Sequence, residues 1–108
     1  MAEIKFSHEA AKDLQQIKAY INEELLSAQS ADNTINKIMK NIRMLGNFPN
    51  SAPSLSEIVG FKTDYRYLVC GNYVTFYRVE NEVVYIVRVL YGRRDFMRIL
   101  FGTTQDEP

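Results

Sequence analysis

Six arginines set among valines and tyrosines hold most of this chain's capacity for chemistry. Arg66, Arg78, Arg88, Arg93, Arg94 and Arg98 all fall between Tyr65 and Phe101, a stretch otherwise built of three apolar, strand-like runs and two tight turns. A guanidinium is costly to bury, so in such company it is either paired or used. Arg93, Arg94 and Arg98 lie close together and near Phe96 and Phe101, a composition that protein interfaces favour. Plainer readings stand beside that one. Arg78 would pair with Glu80 or Glu82 near a sheet edge. Arg88 would face Asp64 or Asp95 as a structural ion pair, or else be functional. Arg93 and Arg94, next to Asp95, would be solvated turn residues. For Tyr65, Tyr67, Tyr73, Tyr77 and Tyr85 the expectation is sheet core and cross-strand pairing.

Other chemistries find little support. The sequence shows no paired carboxylates, metal-ligand cluster, glycine-rich phosphate loop or Ser/His/Asp set, so neither a metal nor a cofactor is expected. The lone histidine, His8, falls in the first turn of a helix and reads as solvated. Cys70 stands in a strand-like run with no second cysteine, and reads as a buried structural thiol.

Composition bounds the answer further. A chain of 108 residues suits one domain, 1–102, with a polar and disordered tail at 103–108. Hydrophobic content of 46% and charged content of 24% are ordinary for a globular protein. No apolar run is long enough to span a bilayer and no signal-peptide layout opens the chain, so the expected location is cytoplasmic, without a membrane partner. Net charge is zero, although residues 61–101 hold seven bases against four acids. That local excess is modest for a nucleic-acid binder, whose affinity grows with the phosphates it neutralises.

The elements that must position these arginines follow from periodicity. Ala2–Phe6 alternates and predicts a half-buried strand. Ser7 can cap a helix whose stripe runs Ala10, Leu14, Ile17, Ile21, Leu25. Ser27–Asp32 is small and polar, a connection. A second stripe follows at Ala31, Ile35, Ile38, Ile42 and Leu45, ended by Gly46 in a left-handed position and by Pro49. Asn47–Gly60 reads as a loop that is functional or wraps a sheet edge. Then come strands over Asp64–Cys70, Tyr73–Val79 and Val83–Tyr91, turned at Gly71-Asn72 and at Glu80-Asn81-Glu82. The last strand is apolar on both faces except for Arg88, which predicts a central, doubly covered position. Asp95–Phe101 predicts a short closing helix. The sum is an α+β fold with an N-terminal strand, an α-helical hairpin across one face of the sheet, an antiparallel three-strand meander and a short C-terminal helix.

From Ala2 to Gly102 this order resembles the RelE/ParE superfamily of bacterial type II toxin–antitoxin toxins. The resemblance rests on Phe48-Pro49 after the second helix, on Tyr65-Arg66-Tyr67-Leu68-Val69 and on Tyr73-Val74-Thr75-Phe76-Tyr77-Arg78-Val79. It rests further on Val87-Arg88-Val89-Leu90-Tyr91-Gly92-Arg93-Arg94-Asp95, similar to a block of the ParE-like branch with Tyr91 in place of its histidine. The resemblance implies one of two mechanisms. RelE-like members cut messenger RNA on the ribosome; ParE-like members bind and inhibit DNA gyrase. Both imply a cognate antitoxin as partner.

Cleaving RNA requires groups that activate the 2′-hydroxyl, stabilise the phosphorane and protonate the leaving oxygen. Against the RelE-like pattern, Arg66 matches a basic meander position and Arg93 or Arg94 the late arginine, with Tyr91 as the candidate proton donor. Leu68, Val74 and Met97 stand where a lysine, an arginine and a tyrosine are expected. A nuclease would therefore depend on Arg66, Tyr91, Arg93 and Arg94 alone, and the favoured expectation is a gyrase-binding toxin. Its target surface would comprise Arg88, Tyr91, Arg93, Arg94, Arg98 and Phe101. Hydrophobics off the helix stripes (Tyr20, Leu26, Met39 and Met44) are the expected seat of the antitoxin or of a second copy of the chain.

Overall fold

The computed structural model describes residues 1–92 and 95–102, so Arg93, Arg94 and the 103–108 tail lie outside the described residues. In chain order the elements are β1 (Glu3–Phe6), α1 (His8–Glu24), α2 (Ala28–Met44), α3 (Ser56–Val59), β2 (Arg66–Cys70), β3 (Tyr73–Glu80), β4 (Val83–Tyr91) and α4 (Phe96–Phe101). The strands form one sheet in the order β1-β4-β3-β2. The meander is antiparallel, and β1 runs parallel to β4 from Glu3 opposite Val83 to Phe6 opposite Ile86.

Turn chemistry sets the meander. Asn81 and Glu82 both have positive φ, 52° and 62°, the mirror-type hairpin turn that matches strand twist. Between β3 and β4 the register slips after Phe76, which pairs with Arg88 while Tyr77 pairs with Ile86. Val87 is the extra residue of this bulge, and such a residue bends a strand and re-aims its neighbours.

Both sheet faces are covered, which explains the apolar run of β4. On one face Ala10, Ile38 and Ile42 from the helices meet Tyr77, Val84, Ile86 and Val89. Complete burial of Ile42 contributes roughly 1.5–3 kcal/mol relative to exposure. On the other, Leu55, Val74, Phe76, Leu90 and Phe96 form a smaller core, with the Phe76 and Phe96 rings stacked at 5.6 Å. Hence α4 closes the second face.

Local details depart from expectation in three places. The helix connection is shorter than Ser27–Asp32, because the Ser27 hydroxyl accepts from the Ser30 amide at 3.1 Å and α2 starts at Ala28. Polar side chains there cover the exposed side of a helical first turn, and Leu26, at φ 52°, makes the sharp reversal. Gly46 is not left-handed. Its lack of a side chain serves close approach instead: an added Cβ would lie 3.3 Å from the Ala2 carbonyl oxygen, and the Ala2 amide donates to the Gly46 carbonyl at 2.7 Å. The loop before β2 contains α3 and wraps the sheet edge, with the Leu55 amide bonded to the Tyr65 carbonyl and the Tyr67 amide to the Pro53 carbonyl. That cover shields an edge strand.

Tyr77 ties this loop to the core. Its ring is fully buried and its hydroxyl donates to the Pro49 carbonyl at 2.9 Å; burial pushes the phenol above its ordinary pKa. Tyr77→Phe removes the donor and is expected to cost about 1 kcal/mol. Urea unfolding should show a lower midpoint with an unchanged slope.

Candidate functional site

Where β1 ends, the edge of β4 is continued by side chains of α1. β1 pairs with β4 only as far as Ile86. Ser7 takes over, donating its amide to the Ile86 carbonyl at 2.9 Å and its hydroxyl to the Val87 carbonyl at 2.7 Å. The same hydroxyl accepts from the Ala10 amide and so caps α1. One turn further on, the Asp13 carboxylate accepts the Val89 amide at 3.0 Å.

Asp13 also holds Arg88. The guanidinium Nε meets Oδ2 at 2.7 Å and Nη2 meets Oδ1 at 2.8 Å, a two-point fork. The expected partners Asp64 and Asp95 are not the ones used. The bulge at Val87 precedes Arg88, which turns toward α1, and Asp95 bonds Arg98 instead at 3.0 Å. The side chain of Asp13 is only 9% exposed. Its hydrogen bond raises the Arg88 pKa above the ordinary guanidinium value, against the opposing effect of burial, with smaller help from Glu9.

Above this pair opens a hollow of about 490 Å³ between α1, the end of β4 and the start of α4. Asp13 and Arg88 lie in its wall, with Ile17, Val89, Leu90 and Ile99 as apolar lining. Tyr20, Tyr73 and Tyr91 also line it, and Asp95 and Arg98 complete it. Tyr73 and Tyr91 face each other across the strands, edge to face at 5.5 Å. Burial, and then the proximity of Tyr91 and Tyr20, raises the Tyr73 pKa. At neutral pH that phenol is a hydrogen-bond donor and not a base. Both described cations of the wall already meet a carboxylate. The hollow is thus aromatic and charge-paired, suited to recognition more than to gripping a bare phosphate.

The residues singled out in the sequence separate clearly. Arg88, Tyr91 and Arg98 converge on this hollow, and Tyr20 joins them. Phe101 does not; its ring packs edge to face against Phe61 at 5.1 Å and Tyr65 at 5.5 Å, in the second core. Arg66 is held elsewhere, its Nη1 donating to the Ala52 carbonyl at 2.6 Å, so it tethers the loop before β2. Arg78 lies on β3 just beyond the end of its pairing with β2, at an open edge, and rests over the Tyr85 ring at 5.6 Å, forming no ion pair with Glu80 or Glu82. Arg93 and Arg94 lie outside the described residues. Of the expected antitoxin contacts, Leu26 is 87% exposed at the tip of the helical hairpin and Met44 is exposed at the far end of α2, about 24 Å along its axis. Met39 is half-buried against the first core, since it falls on the inner flank of α2.

Asp13 escaped the sequence reading, and Tyr73, expected to pair across strands and doing so with Tyr91, was not expected at the site. Asp13 carried a signal: it falls three residues after Ala10 and four before Ile17, on the apolar stripe, where a carboxylate needs a partner. Tyr73 carried none beyond its strand position.

A family model described as the ParE toxin of type II toxin–antitoxin systems, parDE, matches residues 4–96. The chain belongs to the ParE toxin family. The match runs from β1 to the first residue of α4 and so includes Asp13, Tyr20, Tyr73, Arg88 and Tyr91. Among solved structures, a chain of the chromosomal ParDE system from P. aeruginosa has a TM-score of 0.73 at 22% identity, covering 85% of this chain and 97% of that one. At that identity the likeness speaks for a ParE-like fold alone. No curated protein matches the chain. No helix among the described residues is long and apolar enough to cross a membrane.

Removing one member of the Asp13–Arg88 pair strands the other. Asp13→Ala is expected to cost about 3–5 kcal/mol, and Asp13→Leu combined with Arg88→Met to recover a large part of it. A double-mutant cycle by urea unfolding measures the coupling. Because the folded Arg88 pKa is raised, its contribution is complete below the unfolded guanidinium value and fades only as pH climbs through the higher folded one. Between roughly pH 6 and 9 its ionisation should leave stability unchanged.

Proposed function

We propose that this ParE-family toxin arrests growth by binding DNA gyrase through the hollow between α1, β4 and α4, and that a cognate antitoxin neutralises it. The observation that carries this reading is the commitment of Arg66, Arg88 and Arg98. Arg66 is bound to loop carbonyls, while Arg88 and Arg98 are bound to carboxylates. A nuclease centre would need a guanidinium and a proton donor aimed together at one phosphate. A charge-paired wall with exposed Tyr20 and Tyr91 is instead the composition of a protein-binding surface, in which aromatic residues and arginine dominate the energy. Family membership supports the same mechanism, and the site of action would be the cytoplasm.

The antitoxin reading draws support from the P. aeruginosa neighbour, a structure of a ParDE toxin–antitoxin system. On this chain the exposed Leu25 and Leu26 at the hairpin tip, and Met44 and Phe48 at the opposite end, offer apolar anchors for a wrapping partner. A second copy of the toxin is the competing occupant.

Two assays run side by side test the mechanism. The purified toxin is expected to inhibit gyrase supercoiling and to leave ribosome-bound messenger RNA intact. Codon-phased cleavage of transcripts would establish the RelE-like endonuclease and displace the gyrase reading. Tyr91→Ala combined with Arg98→Ala is expected to weaken inhibition by about tenfold or more, as removal of interface anchors does. Arg93→Ala with Arg94→Ala, in the adjacent segment, is expected to abolish toxicity while the circular dichroism spectrum stays native.

A further inference from the structure

We propose that Asp13 is a positioning residue for the target-binding surface, acting through the unpaired end of β4; the inference rests on the target-binding reading of the hollow. One carboxylate on α1 makes three contacts to two consecutive residues 75 and 76 positions away, two to the Arg88 guanidinium and one to the Val89 backbone. No strand accompanies this part of β4 on the α1 side, since β1 stops opposite Ile86. Asp13 takes the place of a strand there, and the Val89 amide it accepts is a donor that a missing strand would otherwise leave buried and unmet.

The consequence is geometric. Immediately after Val89 the chain supplies Leu90 and Tyr91 to the hollow. It is fixed again at Gly92, whose amide donates to the Asn72 carbonyl at 2.7 Å. On its β3 side this segment is paired throughout, with Tyr91 opposite Tyr73 and Val89 opposite Thr75, so Asp13 is the tie on its α1 side. Releasing the Asp13 tie leaves the pairing with β3 in place but frees α1, and with it Tyr20, to shift relative to Tyr91. Both residues line the hollow. Asp13 itself is nine-tenths buried and offers a partner almost nothing to touch. It acts on the surface only by holding what the partner touches.

Asp13→Asn is the discriminating change. It keeps the shape of the side chain but removes the charge and leaves one acceptor oxygen, which must serve both the guanidinium and the Val89 amide, so the two-point fork to Arg88 cannot re-form. Amide hydrogen exchange reads the local effect, with Val84, beside β1, as the internal reference. Growth arrest and gyrase inhibition read the functional one. The expected result is faster exchange at Val89 than at Val84, with inhibition reduced by about tenfold or more and antitoxin binding retained. Tyr77→Phe serves as the stability control, because its lost hydrogen bond lies far from the hollow, and it is expected to inhibit like the wild type. The exchanged pair Asp13→Arg with Arg88→Asp restores opposite charges but offers no acceptor to Val89, so it should remain deficient. Full inhibition by Asp13→Asn overturns the proposal. So does equal acceleration at Val89 and Val84 with inhibition lost only in proportion to the lost stability. A wild-type chain that arrests growth without inhibiting gyrase sinks the target reading alone, and Asp13 is then judged on growth arrest.

Discussion

The contact between Asp13 and the Arg88–Val89 segment is the constraint around which this fold is arranged. It joins the first helix to the penultimate element, spans 75 residues of sequence, and places an ion pair where the sheet lacks a strand. A buried ion pair is seldom a large source of stability, because desolvation offsets much of its attraction. Its value here is directional. The fork sets the orientation of the guanidinium, and the third bond sets the backbone. A hydrophobic replacement could fill the same space without specifying either.

Four arginines of the C-terminal half illustrate how one residue type serves different ends in one small domain. Arg66 ties a loop to the edge strand, Arg78 lies over an aromatic ring, Arg88 braces the sheet against a helix, and Arg98 stays at the surface beside Asp95. Three of the four are therefore engaged with the fold itself. This division explains why a count of positive charges misrepresents the surface. What the described residues present around the hollow is a set of phenols on a wall whose two arginines are paired with carboxylates.

Sequence periodicity carried most of the architecture. The two helical stripes and the apolar β4 reported burial, because burial is what periodicity encodes; Leu25 and Phe6 are the exceptions, exposed where α1 and β1 end. The turn at Asn81–Glu82 was legible from its residue types and position. Less of the site was legible. Arg88 stood out as a cation in an apolar strand, but its partner did not, since pairing between α1 and β4 depends on a bulge at Val87 that no local pattern announces. Residue type also misled at Gly46, where a glycine near a helix end resembles a left-handed cap and in fact admits the Ala2 carbonyl. The exposed positions Tyr20, Leu26 and Met44 were correctly seen as lying off the stripes. Their separation along the helices emerges only when both helices have length and direction.

The parallel pairing of the first strand with the last has a bearing on biosynthesis. Strand β1, the Ser7 hydroxyl and the Asp13 carboxylate all wait for partners about eighty residues downstream. Closing such a distance carries an entropic penalty before any contact rewards it. A nascent chain whose β4 is still threaded in the exit tunnel lacks the partner of its first strand, so the sheet cannot close until β4 has emerged.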